Sequence, residues 1–388
     1  MKITDVKTYV VGNPWKNWIF AKVETDEGIH GIGEGTVSGF AKTIEAGINE
    51  LKRFVIGLDP FQIEVICQRM NRDMYTEGGQ LQGCMTAAIE TACWDIMGKS
   101  LNQPAYNLMG GRCHEKIRAY ANGWYQGPHT AENFHEKAKI VVDAGYTALK
   151  FDPFGAAWRY MEPGDEALTI DIIAAVRDAV GPQVDILIEG HSRFSVGEAI
   201  KLGQLMEPFK PRWFEEPTHH GKIDAVVEVA RSVPVPVATG ESYSSKHQFA
   251  ELLAHNAVHI LQPDYGHLGG LFSTRKICDM VDAHYGIVAP HNAQGPISSA
   301  VCMQFAACTP NFFIQEMFDE FNVPWEARLV TRMTEVKDGY IDIPTEPGIG
   351  VDLNFDILDE HPYQEAGYMA LFRRGWEQRQ GELGLEDR

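Results

Sequence analysis

The chain has no cysteine pair in a CxxC arrangement, no long apolar run and no excess of positive charge. Its seven cysteines are an odd number and are widely spread, which indicates reduced packing residues and not a disulfide framework. No segment approaches the roughly 20 consecutive apolar residues that a membrane span needs. The first residues, MKITDVKTYVV, alternate like an edge strand and lack the apolar core of a secretion signal. These absences predict a cytoplasmic protein that does not bind membranes.

The shortage of basic residues argues against a nucleic-acid partner. Lysine and arginine number 34 against 53 acidic residues, which gives a formal net charge of −19 over 388 residues. Phosphates need a basic surface, and this composition does not supply one. An anionic small molecule remains compatible, because a bound dication and local lysines can reverse the potential inside one cleft.

The pattern of apolar residues divides the chain into three parts. Residues 1–112 show strands followed by amphipathic helices, which predicts an α+β domain. Residues 113–330 alternate eight strands with amphipathic helices, so we expect an α/β domain built as a (β/α)8 barrel. Residues 331–388 are irregular and have to pack back onto the first domain. The candidate barrel strands are IRAYANGW, TALKFD, DILIEGH, RWFEEP, PVATGE, HILQPD, IVAPHN and FFIQEMF.

Three glutamates lie at equal intervals, each at the end of a short apolar run. The intervals between Glu189, Glu215 and Glu241 are 215 − 189 = 26 and 241 − 215 = 26 residues. One strand, its helix and their loops take about that length, so successive strand ends present one carboxylate each to a common centre. Converging carboxylates repel one another unless a hard cation neutralises them. The spacing therefore predicts an oxygen-ligated Mg²⁺ or Mn²⁺ site.

Ionisable side chains end most of the other predicted strands as well. Any single one of them is explained by a helix N-cap or a solvated loop, but a shared register at the top of a barrel indicates an active site. The glycine-rich GIGEG at residues 31–35 is superficially similar to a dinucleotide fingerprint; it follows a hairpin-like strand with no βαβ unit and carries little weight. The residues in the shared register are Asp152, Glu189, Glu215, Glu241, Asp264, His291 and Glu316.

Six stretches carry a resemblance to a known family. They are KVETDEGIHGIGEG, WDIMGKSLNQPAYNLMGG, WFEEP, LQPDYGHLGG, APHNAQGPIS and FIQEM. Together they resemble the enolase superfamily, in its mandelate racemase/muconate lactonizing enzyme branch and there the galactonate-dehydratase-like acid-sugar dehydratases. The resemblance spans nearly the whole chain. It implies a TIM-type barrel with an α+β N-terminal capping domain completed by the C-terminal segment, a Mg²⁺ or Mn²⁺ cofactor and a homo-oligomer.

Carried over by position, the resemblance places the metal carboxylates on Glu189, Glu215 and Glu241. The first of these is commonly Asp in the relatives, and Glu is one methylene longer. Adjacent strand residues face opposite ways, so Glu216 is expected to have a structural role.

The resemblance also implies a base, an acid and two groups for the substrate carboxylate. It places a His–Asp dyad on His291 and Asp264, where the carboxylate fixes the tautomer and makes the imidazole a general base. His191, expected on the same strand face as Glu189, would protonate a leaving hydroxide. Glu316 is expected to be protonated, or to share a proton, when it bonds the substrate carboxylate. 

Lys150 matches the first lysine of the relatives' Lys-x-Lys and suits an electrostatic contact to the substrate carboxylate. Asp152 replaces the second lysine, which disfavours racemisation through a lysine base.

Direct substrate contacts are expected from Trp18, Tyr75, Asp152 and His267, with Trp15 close to the first of them. The two tryptophans and Tyr75 lie where the family's capping loops close over the substrate. Core packing of the first domain explains them equally well, because tryptophans are usually buried.

The resemblance implies a hydro-lyase, a Mg²⁺-dependent dehydratase of a sugar acid of the galactonate or gluconate type. An epimerase, racemase or cycloisomerase that forms the same enediolate is the alternative within this chemistry. A non-catalytic metal-binding barrel is the alternative outside it. A zinc hydrolase is disfavoured, because the expected ligands are carboxylates and not histidines.

Overall fold

A computed structural model of the chain describes residues 1–14 and 16–378. Trp15 and the last ten residues of the predicted C-terminal segment, 379–388, lie outside the described residues. The described part contains an antiparallel sheet of three strands and a second sheet whose eight parallel strands form a barrel, as the sequence predicts. None of its helices is long and apolar enough to span a bilayer.

The first domain packs helices α1 and α3 against the antiparallel sheet, and helices α2 and α4 pack on α3. Helix α3 lies directly on strand β3, and the glycines of the strand permit this approach. A Cβ atom on Gly31 would lie 2.0 Å from the carbonyl oxygen of Ala92, and one on Gly33 would lie 2.1 Å from that of Ala88. The GIGEG motif therefore serves close packing between sheet and helix. The elements are β1 Ile3–Val11, β2 Trp18–Thr25, β3 His30–Glu34, α1 Ala41–Leu51, α2 Ile63–Met70, α3 Gly79–Leu101 and α4 Ala105–Leu108.

The barrel strands pair in sequence order, and β11 pairs with β4. A parallel bridge between Val288 of β10 and Phe312, just before β11, completes the ring. The strands are β4 Lys116–Ala121, β5 Ala148–Phe151, β6 Asp185–Glu189, β7 Trp213–Glu215, β8 Val237–Thr239, β9 Ile260–Leu261, β10 Ile287–Val288 and β11 Gln315–Met317. The helices between them are α5 Ala131–Asp143, α6 Pro163–Val180, α7 Val196–Met206, α8 Ile223–Ser232, α9 Lys246–Ala254, α10 Leu271–Ala283 and α11 Pro296–Ala307.

The eight-fold alternation predicted from the sequence ends one helix early. In the described residues β11 is followed by two short 3₁₀ turns, Asp319–Phe321 and Glu326–Leu329, in place of an α-helix. Pro324 lies between them and has no N–H for a helical hydrogen bond. The chain then adds strand β12, Tyr340–Asp342, antiparallel to the first half of β4.

The C-terminal segment returns to the first domain, as the fold class predicts. The backbone N–H of Gly12 donates to the carbonyl of His361 at 2.7 Å, and the side-chain amide of Asn17 donates to that of Gln364 at 2.8 Å. The segment then crosses to the mouth of the barrel, where the indole N–H of Trp376 donates to the carbonyl of Gly155 at 3.3 Å. The domain boundaries at residues 112 and 330 stay predictions.

Candidate active site

A cavity of about 470 Å³ lies at the carboxyl ends of the barrel strands. Parallel strands present the loops that follow them on this one face, so side chains from many strands converge there. Three parts of the chain build the wall. The barrel contributes its strand-end residues, the first domain contributes Lys16 and Leu81, and the C-terminal segment contributes Leu371 and Trp376.

Glu189, Glu215 and Glu241 come together at the ends of their strands, and Glu189 and Glu241 line the cavity. One carboxylate oxygen from each lies within 4.8 Å of the others, because Glu189 and Glu215 are directly paired on β6 and β7 and Glu241 follows β8. Burial and repulsion by Glu189 raise the pKa of Glu215 to about 8. Burial and the same repulsion raise the pKa of Glu241 well above its usual value. A divalent cation would relieve this repulsion.

Glu216 points away from the cluster and has its own partners. Its carboxylate accepts hydrogen bonds from the hydroxyls of Ser192 at 2.5 Å and Thr239 at 2.6 Å, and from the backbone N–H of Gly240 at 2.9 Å. The residue therefore ties β7 to the neighbouring loops.

Lys150 links the carboxylate cluster to Glu316. Its ammonium contacts Glu215 and lies 3.2 Å from Glu189 and 3.0 Å from Glu316. Burial lowers the pKa of Lys150, but Glu215 and Glu316 outweigh burial and hold this pKa well above its usual value.

Lys150 and His291 favour the ionised form of Glu316, and the expected protonated or proton-sharing role stays a prediction for the complex with substrate. Burial raises its pKa, but Lys150 and His291 outweigh burial and lower the pKa to about 2. Its oxygens also accept hydrogen bonds from the Asn122 amide and the Asn292 backbone N–H, both at 2.7 Å.

His291 and Asp264 form a dyad on one wall. The imidazole Nδ1 lies 2.7 Å from Oδ2 of Asp264, and the same oxygen accepts a hydrogen bond from the side-chain amide of Gln294 at 2.6 Å. The other oxygen accepts from the backbone N–H of Gly266 at 2.7 Å. Burial raises the pKa of Asp264, but His267 and His291 outweigh burial and hold it well below its usual range. The dyad leaves Nε2 of His291 for the cavity, 3.8 Å from Glu241.

A second dyad, which was not predicted, lies on the opposite wall. Nδ1 of His191 lies 2.6 Å from Oδ2 of Asp152, and the guanidinium of the buried Arg193 contacts the same oxygen. His191 follows β6 and His291 follows β10, four strands apart in a ring of eight, so the two imidazoles face each other across the cavity. Burial and the cations Arg193 and Lys150 lower the pKa of His191, and they outweigh Asp152, which raises it.

The backbone at His191 corrects one premise of the sequence analysis. Strand β6 ends at Glu189, and His191 and Ser192 adopt left-handed conformations with φ of 47° and 58°. His191 therefore does not share a strand face with Glu189. A turn brings it to the cavity, and its backbone N–H donates to Glu189 at 2.6 Å.

Three of the four predicted substrate contacts are not among the residues that line this cavity, and contact with the substrate stays a prediction for all four. Trp18 is fully buried and its indole N–H donates to the carbonyl of Gln294 at 3.2 Å. Tyr75 is 98% exposed on the surface of the first domain. Asp152 is fully buried and holds His191 and Arg193. His267 does line the cavity, with its ring stacked 6.2 Å from that of His291.

Sequence reasoning missed the wall residues that come from the two ends of the chain. Lys16, in the loop between β1 and β2, reaches the carbonyl of Ala293 at 2.5 Å. Burial lowers its pKa to about 8. Trp376 lies edge-to-face against His191, with ring centroids 6.1 Å apart. No local pattern marks either residue, because each acts through a contact with a distant part of the chain.

Comparison with known proteins identifies relatives over nearly the whole chain. Residues 7–110 match the family model for the N-terminal domain of mandelate racemase and muconate lactonizing enzymes, and residues 133–357 match the enolase C-terminal domain-like model. The chain is 32% identical to the D-gluconate dehydratase of Thermoproteus tenax, over 89% of this chain and 70% of that protein.

Another relative and a solved structure agree with these matches. The chain is 32% identical to the D-gluconate/D-galactonate dehydratase of Picrophilus torridus, over 93% of this chain and 94% of that protein. A crystal structure of a mandelate racemase/muconate lactonizing enzyme from a Sulfitobacter species superposes with a TM-score of 0.89 at 32% identity, over 94% of this chain and 96% of that one.

Proposed function

Because the chain belongs to the mandelate racemase/muconate lactonizing enzyme group of the enolase superfamily, we propose that it is a Mg²⁺-dependent dehydratase of a sugar acid. The substrate class is an aldonic acid of the gluconate or galactonate type, which follows from the names of the two relatives. The product is a 2-keto-3-deoxy acid.

Glu189, Glu215 and Glu241 would hold the divalent ion. Their oxygens lie within 4.8 Å of one another and are all carboxylate oxygens, which are the ligands that Mg²⁺ and Mn²⁺ prefer. The raised pKa values of Glu215 and Glu241 fit a site that needs a cation to keep its charges together. When bound, the ion supplies positive charge that acidifies the carbon next to the substrate carboxylate and stabilises the charge that develops there.

His291 removes the proton from the carbon next to the substrate carboxylate. Asp264 on Nδ1 fixes the tautomer, so Nε2 is the nitrogen that accepts the proton. The electron pair of the broken C–H bond moves onto the carboxylate and gives an enediolate. Lys150 faces the developing charge, and Glu316 holds Lys150 in place.

His191 completes the reaction from the opposite wall. Its Nε2 donates a proton to the hydroxyl on the next carbon, and the C–O bond breaks to release water. The enol that remains tautomerises to the keto acid. A histidine with a lowered pKa gives up its proton readily, which suits this acid. His267, beside His291, is placed to contact a substrate hydroxyl.

The observation that carries the proposal is the pair of opposed His–Asp dyads above one carboxylate cluster. Elimination of water needs a base, an acid and a charge sink, and these three groups supply one of each. A non-catalytic barrel would have no use for two buried dyads that face one cavity.

The decisive experiment incubates the purified chain with D-gluconate and D-galactonate, with Mg²⁺ and with EDTA in its place. We expect a 2-keto-3-deoxy acid, detected by NMR and by carbonyl derivatisation, only where Mg²⁺ is present. Conversion that survives complete removal of divalent ions would contradict the metal role. A wider set of aldonic and aldaric acids extends the test if neither substrate reacts.

Epimerisation is a second candidate that one observation favours. Two opposed imidazoles could take and return a proton on opposite faces of the α-carbon, which is the arrangement of a two-base epimerase. The product separates the two reactions, because an epimerase releases the C2 epimer without a keto group.

A further inference from the structure

The last described stretch of the chain closes the wall behind His191. Met369, Leu371 and Trp376 line the cavity, although the sequence places them far beyond the final barrel strand. Trp376 is 5% exposed, and its ring lies at 87° to that of His191 with centroids 6.1 Å apart. The segment therefore touches the acid of the proposed reaction and does not only cover the barrel.

The local structure around His191 leaves a need for this contact. Its backbone lies in the left-handed region at φ 47°, a conformation that persists only when surrounding groups hold it. The contacts of Nδ1 with Asp152 at 2.6 Å and with the guanidinium of Arg193 at 3.4 Å lie at one ring atom, so they fix the direction of the ring but not its tilt. A packed aromatic neighbour supplies the missing restraint.

Trp376 is itself held firmly enough to act as a reference surface. Its indole N–H donates to the carbonyl of Gly155, and its ring packs edge-to-face on Tyr125 at 6.1 Å. The buried carboxylate of Glu377 lies 2.9 Å from the imidazole of His129. These contacts join the segment to the loops that follow β4 and β5.

We propose that Trp376 is a positioning residue for His191, and that it serves the loss of water but not the removal of the α-proton. This inference rests on the proposed dehydration. The indole holds the imidazole of His191 towards the substrate hydroxyl and keeps solvent from that side of the cavity. The base dyad, on the opposite wall, has no contact of this kind with the segment in the part of the chain that the structure describes.

The test compares two rates with D-gluconate and D-galactonate in D₂O with Mg²⁺. One is the rate at which the α-proton of the recovered substrate is replaced by deuterium from the solvent, and the other is the rate of keto-acid formation. We expect Trp376→Ala to slow keto-acid formation by roughly 10- to 100-fold, the loss that a small misplacement of a reacting group produces. Exchange should stay within about three-fold of the unaltered chain, a difference of less than 1 kcal/mol. A merely structural role would lower both rates together.

Three further variants keep the comparison sharp. Trp376→Phe retains an aromatic face and should restore most of the lost rate, whereas Trp376→Leu fills space without one and should behave as Trp376→Ala. If Trp376→Ala does not fold, the Leu and Phe pair carries the same expectation. Trp158→Ala is the matched control, because Trp158 packs on Phe372 of the same segment at 4.9 Å without lining the cavity.

A parallel fall of exchange and keto-acid formation, or an unchanged ratio in every variant, would overturn the inference alone. Failure of the unaltered chain to dehydrate any sugar acid would instead overturn the proposed function, and the inference with it.

Discussion

The two opposed walls of the cavity each carry a His–Asp dyad, but the side chains beside the two aspartates differ in charge. In both, the aspartate accepts a backbone N–H two residues on with one oxygen, from Phe154 at 2.9 Å for Asp152 and from Gly266 at 2.7 Å for Asp264. In both, Oδ2 has a hydrogen bond with the imidazole and accepts a second one from another side chain, and on the base side Nδ1 of His267 also lies 3.7 Å away. The second donor is the guanidinium of Arg193 on one wall and the neutral amide of Gln294 on the other.

This difference supports the proposed role of His191 as the acid. A carboxylate shared with a permanent cation stabilises a protonated imidazole less than one shared with an amide, because part of its charge is already neutralised. Burial and the guanidinium of Arg193 lower the pKa of His191, so this imidazole gives up a proton readily.

Replacing the base, His291, should have the largest effect and should slow both measured reactions. We expect His291→Asn to lower both α-proton exchange and keto-acid formation by about 10³-fold or more, since a general base contributes about 10²–10⁴-fold and no other step precedes it. NMR in D₂O follows both rates in one sample. Exchange that persists in this variant would show that the opposite dyad also acts as a base.

Replacing the acid, His191, should slow only the loss of water. In His191→Asn we expect keto-acid formation to fall by about 10²-fold while α-proton exchange stays within several-fold of the unaltered chain. The reason is that His191 acts after the C–H bond has broken. If both rates fall together while metal binding is intact, the acid role is wrong.

The carboxylate cluster and the base dyad can be predicted from the sequence, and the acid dyad can be predicted only in part. A parallel barrel aligns its strand ends, so the 26-residue interval between the glutamates translates directly into a common centre. The pairing of Asp152 with His191 depends instead on a left-handed turn at His191 and Ser192. Nothing in the alternation of apolar residues encodes that turn.

The cavity-lining residues near the two ends of the chain are harder to predict from the sequence. Trp376 and Lys16 belong to irregular segments whose paths depend on tertiary packing, so no period places them near the barrel. Trp18 and Tyr75 show the reverse case, because the sequence places them near the substrate whereas neither lines the cavity in the described structure. Element type follows from local pattern, whereas the direction of a loop side chain does not.

Making the two dyads alike tests the electrostatic assignment. Arg193→Gln places an amide beside Asp152, as on the base side. Arg193 lowers the pKa of His191, so its loss should raise that pKa. Water loss requires protonated His191 and falls as pH rises through that pKa, so the alkaline decline of the rate should move to higher pH. On the acid side of both pKa values, where His191 is protonated in either form, we expect a several-fold lower rate, because a weaker acid donates less readily.

Arg193→Gln should also lower the stability of the fold, and this effect has to be separated from the shift in the pH dependence of the rate. Arg193 is fully buried and donates to the carbonyls of Gly190 and Gly155, so its replacement should cost about 1–3 kcal/mol in the free energy of unfolding. Denaturant titration measures that cost. If the rate of a folded variant declines at the same alkaline pH as that of the unaltered chain, the role of the guanidinium is contradicted.

The smallest effect is expected on the base side. Gln294→Met removes the hydrogen bond that a neutral amide donates to the carboxylate of Asp264 at 2.6 Å and keeps an apolar chain of similar length. Asp264 keeps its hydrogen bonds with His291 and Gly266, so we expect both exchange and keto-acid formation to fall by only about two- to ten-fold and together, a difference of about 0.4–1.4 kcal/mol. Their ratio should not change, because the loss acts on the step that both share. A change in the ratio, measured in the same NMR samples, would mean that Gln294 contacts the leaving group's side of the substrate and that the two walls are less separate than their hydrogen bonds indicate.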